Sequence, residues 1–235
     1  MPRTLPDKAS HAHLVEVLGR RIAGGEIAQG TVMTAATLEH EHGASRTVVR
    51  EAVRVLEAHG LLFSKRRVGL IVRPREEWDS LDARVIQWTL DGPRRRELLV
   101  ELTQLRVAVE PVAARLAAEH ATEAQRAELV RLATELSDHG ARGEGDSDAY
   151  LSIDITYHSL LLEASGNALF HQLVGPISEI LRGRSTRGLT PRIPHVGTLE
   201  AHLATARAIA AGDEIAAETA AREHLTLVSG EVRDL

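Results

Sequence analysis

Four residues in the C-terminal half carry side chains able to hold a divalent cation: Asp154, His158, His202 and His224. Asp154 and His158 are four apart, hence on one helix face, which they share with Leu151, Leu161 and Leu162. His202 shares a face with Leu199, Ala206 and Ile209, and His224 with Ala217, Ala221 and Val228. Burying a carboxylate costs several kcal/mol unless it is paired or bound to metal. One carboxylate and three imidazoles from three helices meet that need by converging on a divalent ion. Taken singly, each imidazole also fits a hydrogen-bonded core or surface position, and the chain has 12 His. His40, His42, His59, His120, His139, His171 and His195 are read as structural or surface residues.

A second constellation is basic. Val49, Ala52, Val53 and Leu56 make one buried stripe, and Arg46, Thr47, Arg50 and Arg54 fall away from it. Guanidinium forks and a hydroxyl near the N-terminal end of an exposed helix suit phosphates and guanine edges in a major groove. A solvated amphipathic helix is the alternative. After Gly60, Leu61 to Ser64 and Leu70 to Val72 read as short strands joined by the basic turn Lys65-Arg66-Arg67-Val68-Gly69.

These residues need elements to position them. A helix over 10–24 opens at Ser10 and stops at Gly24-Gly25, and a second runs from about Thr34 to His42. Gly43-Ala44-Ser45 is a turn, with Ser45 as N-cap of a third helix that ends at Gly60. Helix, short turn, helix is the layout of a DNA-reading helix-turn-helix, and the hairpin is its wing. Beyond the linker that begins at Arg73-Pro74-Arg75, helices are expected over 78–91, 94–119, 123–139, 147–165, 167–184, 197–211 and 214–230. In the second of these, Leu98, Leu102, Leu105, Val109, Val112 and Leu116 step by four and three, a row suited to helix packing. The fold expected is mainly α: a winged helix-turn-helix over 1–75, a linker and connecting helix over 76–93, and an all-helical bundle over 94–235.

Charge follows the same division. The first 75 residues carry about +5 and the remainder -10, within a net charge of -5 over 235 residues. That asymmetry suits a module for a polyanion joined to an acidic body. With no Cys, disulfides, thiolate metal sites and Cys nucleophiles are excluded. Aromatics at 3% argue against stacking platforms for single-stranded nucleic acid. No apolar run approaches membrane-spanning length, so a cytoplasmic location and no membrane partner are expected.

The run Gly43 to Leu62, followed by the Arg-rich hairpin and Gly69, closely resembles the winged helix-turn-helix of GntR-family transcription regulators. The resemblance implies that Arg46, Thr47, Arg50 and Gly69 contact DNA, and Ser45, Arg54, Arg66 and Arg67, on the same helix and wing, complete the DNA-binding candidates. Where the family usually has a Ser-Glu-Arg-Glu-like stretch in the second helix, this chain has Thr34-Ala35-Ala36-Thr37, so the operator sequence is not carried over. Residues 94–230 resemble the C-terminal FCD domain of the FadR subfamily, through Leu105 to Ala114, Asp154 to His158, Ala164 to Asn167, Glu200 to His202 and Glu223 to Leu225. In metal-containing members, residues at the positions of Asp154, His158, His202 and His224 bind the metal. Zn is the first choice, and Ni, Mn and Fe suit the same donors. The segment Trp78 to Trp88 is similar to that of galactonate-type, sugar-acid-responsive repressors of the subfamily.

Together these imply a homodimeric repressor that leaves a palindromic double-stranded operator when a small carboxylic acid, such as galactonate or gluconate, binds at the metal. Arg106 is expected to grip that carboxylate with two prongs, the alternative being an ion pair with Glu110. Arg182 and Asn167 complete the pocket candidates. A structural metal, metal sensing, or a metal-dependent enzyme are the other readings. The enzyme lacks an unassigned carboxylate placed as general base.

Overall fold

The computed structural model describes residues 10–233. The chain divides into two compact units, Met1–Arg95 and Arg96–Leu235. In the first unit, α1 (His11–Ala23) is capped by Ser10, α2 (Ala35–His42) by Thr34 and α3 (Arg46–Ala58) by Ser45, each hydroxyl accepting a first-turn N–H. Gly43 closes α2 at φ 59°, where a residue with a Cβ is strained. The expected stripe of α3 is buried as a whole: Val49, Ala52, Val53 and Leu56 pack with Leu14, Leu18, Ile22 and Leu38.

The wing is a hairpin of β2 (Leu62–Lys65) and β3 (Gly69–Val72), paired antiparallel from Leu62 opposite Val72 to Lys65 opposite Gly69. A third strand, β1 (Val32–Met33), lies on the other edge of β3 and gives the order β1-β3-β2. Two residues are too few for an alternating pattern, so β1 was not legible in the sequence. Gly69 has a local reason to be glycine: its φ is 131°, and a Cβ there would stand 2.4 Å from the carbonyl oxygen of Met33. The close approach of β1 to β3 depends on it.

The helix expected over 78–91 is shorter. A single 3-10 turn covers Arg75–Glu77, and α4 (Ala83–Leu90) begins only where the Asp82 carboxylate accepts from the N–H groups of Arg84 and Val85. Between them the chain is tied elsewhere, the Asp79 N–H donating to the His59 carbonyl. The segment expected as a linker therefore folds into the first unit. Trp88 is 1% exposed and donates from Nε1 to Glu16, and Gly19 is glycine because a Cβ would stand 2.6 Å from the Trp88 ring. Trp78 donates from Nε1 to the Arg73 carbonyl.

The second unit is all helical: α5 (Arg95–His120, whose first residue closes the first unit), α6 (Glu123–Ala141), α7 (Asp148–Ala164), α8 (Ala168–His171), α9 (Val174–Ser185), α10 (Val196–Ala211) and α11 (Glu214–Arg233). One helix was expected over 167–184, and the chain forms two. Pro176 explains the break, because its ring would clash with the carbonyl of Gln172 in a continuous helix, whereas it is tolerated in the first turn of α9. Helix α10 packs against α6 and α11, and α7 against α6 and α9.

The apolar row expected on α5 also needs correcting. Leu98 and Leu102 are buried, but Leu105, Val109, Val112 and Leu116 are only half-buried. The inward face runs instead through Arg106, Glu110, Ala113, Ala114, Ala117 and Ala118. Small alanines permit close packing there, and the two charged residues are buried because they satisfy each other and His158 beside them.

Candidate metal and effector site

Three histidines from three helices meet in the core of the second unit. His158 of α7, His202 of α10 and His224 of α11 are 1%, 2% and 5% exposed, and each offers a nitrogen within 4.8 Å of the other two. Nε2 of His158 and Nε2 of His202 are 3.3 Å apart. Asp154 Oδ1 lies 3.4 Å from the first and 3.6 Å from the second. Neighbouring ligands on an ion with bonds of about 2.1 Å stand about 3.0–3.4 Å apart, so these atoms are spaced as a coordination sphere requires.

The far nitrogens are already used. His158 Nδ1 is 2.9 Å from Glu110 Oε2, and His202 Nδ1 is 3.0 Å from the Thr198 carbonyl, one turn back on the same helix. Each contact fixes the tautomer with the proton on Nδ1 and leaves the Nε2 lone pair facing the cluster. His224 has no hydrogen-bond partner on either ring nitrogen, although both are buried. An imidazole buried with both nitrogens unpaired is costly, and a metal bond removes that cost. The three imidazoles are grouped as the donors of a divalent ion would be, and Asp154 stands beside two of them, His158 and His202.

For Asp154, His202 and His224 the electrostatics favour the same state. Burial alone would raise the pKa of Asp154, but hydrogen bonds and charge from His158 and His202 hold it well below the ordinary carboxylate value. Burial lowers His202 and lowers His224 further, so both favour the neutral, metal-ligating form. His158 is pulled down by burial and up by the Glu110 charge, and ends raised. That favours the protonated ring, so a metal at His158 Nε2 would have to displace a proton.

Both sequence readings of Arg106 meet in one arrangement. The side chain lines the recess described below and is also paired with Glu110, Nε to Oε1 at 2.6 Å and Nη2 to Oε2 at 3.4 Å. Its Nη2 sits 3.0 Å from His158 Nε2. Nε is committed to Glu110, and Nη2 is shared between Glu110 and the His158 Nε2 that a metal would take, so Nη1 is the donor group with no partner among these residues. Glu110 was missed as a site residue; it holds Arg106 and His158 at once. Burial would raise its pKa, but Arg106 and His158 bring it down to about 2. The i, i+4 spacing from Arg106 was the only sequence signal for it, and that named one of its two partners.

The cluster opens on a recess lined also by Tyr150, Leu181, Arg184, Thr190, Thr198 and Glu231. Arg182 does not reach it: its side chain is 53% exposed and lies 3.6 Å from Glu179. The helical turn of α9 points Arg184 inward instead, two residues on. Asn167 is also elsewhere, with its Oδ1 accepting from the Leu169 N–H to cap α8. Of the histidines left as structural, His195 caps α10 and His59 stands edge-on to Trp88 and 3.4 Å from Asp82.

In the first unit, Ser45, Arg46, Thr47, Arg50 and Arg54 lie exposed along one side of α3, and Arg66 and Arg67 are exposed at the tip of the wing. The Ser45 hydroxyl is used in capping, accepting from the Val48 N–H. Arg50 and Arg54 flank Glu51 at 3.6 and 3.1 Å, with side chains 65% and 62% exposed. Ion pairs so exposed are worth little and exchange easily for phosphate. Arg67 takes a φ of 65°, the left-handed turn that reverses the hairpin.

Comparison with known proteins follows the same two units. Residues 11–72 match the family described as bacterial regulatory proteins, gntR family, and residues 101–227 match the FCD domain. The galactonate operon transcriptional repressor of Escherichia coli (strain K12) is 34% identical over 226 residues, covering 94% of this chain and 95% of that protein. A probable D-xylose utilization operon transcriptional repressor of Paenarthrobacter nicotinovorans is 31% identical over 208 residues, 87% of this chain and 80% of that protein. Among solved structures, Lar, described as controlling the Listeria monocytogenes agr system, superposes with a TM-score of 0.58 at 16% identity, over 98% of this chain and 100% of that one. The matched families and relatives are transcription regulators rather than enzymes. No helix among the described residues is long and apolar enough to cross a membrane. A helix-turn-helix with its wing, an FCD bundle around three buried histidines, and full-length likeness to such regulators agree: the chain belongs to the GntR family of bacterial transcription regulators, with an FCD domain at its C-terminal end.

Proposed function

We propose that the protein is a metal-dependent repressor that binds a palindromic operator as a homodimer and is released when a sugar acid enters the FCD recess. The observation that carries this reading is the buried His158, His202 and His224 cluster, with Asp154 beside it, opening on a recess. The name of the galactonate operon repressor supports the sugar-acid class.

A bound divalent ion would supply an electrophilic centre for a carboxylate and an adjacent hydroxyl. The chain's own residues do the rest. Glu110 and the Thr198 carbonyl orient His158 and His202, and Asp154 leaves the site with one net positive charge to attract an anion. Arg106 adds a donor beside the same position. On the DNA side, Arg46, Thr47 and Arg50 read the major groove, with Arg54 at its edge, while Arg66 and Arg67 reach phosphates beside it. The half-exposed apolar row of Leu105, Val109, Val112 and Leu116 is the face a second copy would cover.

Release is a population shift: the acid must bind more tightly to a dimer whose reading helices do not match the half-site spacing. The test is fluorescence anisotropy on duplex DNA from upstream of the protein's own gene, with aldonic acids added to metal-loaded and to chelated protein. Release that needs both metal and acid is expected. Release by acid after chelation would reduce the metal to a structural role, and operator binding that follows metal alone would make the protein a metal sensor.

A further inference from the structure

We propose that Arg184 and Glu231 form a subsite that selects, among acids held at the histidine cluster, those with one carboxylate and a neutral polyhydroxy tail. The inference rests on the recess being the effector site, and it adds the class of effector. Arg184 of α9 and Glu231 of α11 both line that recess and are joined by Nη2 and Oε2 at 2.9 Å. Arg184 is 7% exposed, and its Nε is buried without a hydrogen-bond partner. Thr198 Oγ1 is likewise buried and unpaired, and Thr198, Tyr150, Ser185 and Thr190 line the recess as well. An arginine so enclosed, with a donor unspent and a cavity beside it, is a group built to meet a ligand.

The charges decide which ligand. Arg106 is cancelled by Glu110 and Arg184 by Glu231, which leaves Asp154 against a dication, one net positive charge at the metal end. A single carboxylate neutralises it. A second carboxylate at the other end would meet Glu231, and could bind Arg184 only by displacing that pair. A hydroxyl group there meets no such conflict, since it accepts from Arg184 Nε and donates to Glu231. Discrimination comes from the repulsive element, Glu231, as much as from the attractive one.

The experiment is isothermal titration calorimetry on the Zn-loaded full-length protein. Gluconate and galactonate are compared with glucarate and galactarate, which differ only by oxidation of the far carbon, and with lactate, which reaches the metal end alone. At least one aldonate is expected to bind about tenfold or more tighter than its dicarboxylate counterpart. Glu231→Gln is expected to weaken that aldonate, narrow or reverse the ratio, and leave lactate unchanged. Wild-type protein that binds the dicarboxylate as tightly, or a ratio the variant does not move, overturns the subsite while the effector reading stands. Failure of all five acids overturns the effector reading and the subsite with it. Should the variant melt too early to assay, the wild-type ratio decides alone.

Discussion

His158 and His202 face each other through Nε2 at 3.3 Å, and each is held in that orientation by an acceptor at its other nitrogen, Glu110 for one and the Thr198 carbonyl for the other. Two lone pairs aimed at one point repel unless a cation or a shared proton lies between them. The second-sphere contacts therefore prepare the pair for a metal before any ion arrives.

Metal should stabilise the fold through the same atoms. At an excess of about a thousandfold over its dissociation constant, a bound ion adds about 4 kcal/mol to unfolding. A thermal melt with and without Zn should show the gain in the wild type and lose most of it in His224→Ala. His224→Ala that still gained the full shift would remove this residue from the ligand set.

Glu110→Gln should act twice. Loss of the charge that holds His158 is expected to weaken metal binding about 10–100-fold. It also leaves Arg106 buried without its countercharge, at a cost of about 3–5 kcal/mol. Competition with a chelating dye reads the first and a urea midpoint the second. Metal affinity equal to wild type in a folded variant would contradict the orienting role.

Metal-free protein should lose stability as the pH falls. Burial lowers the pKa of His202 and, more strongly, of His224, so below about pH 6.5 the unfolded chain takes up protons that the folded one refuses. His158, raised through Glu110, works in the opposite direction, leaving two groups against one. Glu110, lowered to about 2, and Asp154, lowered well below its ordinary value, add stability that is present above about pH 4.5 and lost as the pH falls further. Urea midpoints should decline from pH 7 to pH 4; a flat or rising series would show that the buried charges are not as described.

Two substitutions separate reading from scaffolding in the first unit. Arg50→Ala should cost about 1–3 kcal/mol of operator affinity with melting unchanged. Gly69→Ala, which sets a Cβ 2.4 Å from the Met33 carbonyl oxygen, should lower melting by distorting the wing, and weaken operator binding through it. Equal affinity for Arg50→Ala on the selected operator would mean that α3 is not the reading helix.

Local chemistry was the legible part of this molecule. Caps at Ser10 and Ser45 and the four-residue step from Asp154 to His158 are written within one helix turn, so elements and candidate ligands could be named from the chain. What depends on the third dimension was not. Along α5 the aliphatic residues form the more regular row, yet the buried face carries Arg106 and Glu110, because partners from other helices decide which face turns inward. Arg182 and Arg184 are two residues apart and equally basic in sequence, and only the path of α9 sends one to solvent and the other to the recess. Asp82 and Pro176 did carry readable signals, a cap and a helix break, which the longer helices expected there overlooked.

The most direct test of the central claim is calorimetric titration of galactonate and gluconate into the protein before and after removal of its metal. Binding of at least one acid to the Zn-loaded protein, lost on chelation and restored by adding Zn back, is the predicted result. Binding of equal strength with and without metal would contradict it, and would place the acid on protein groups alone.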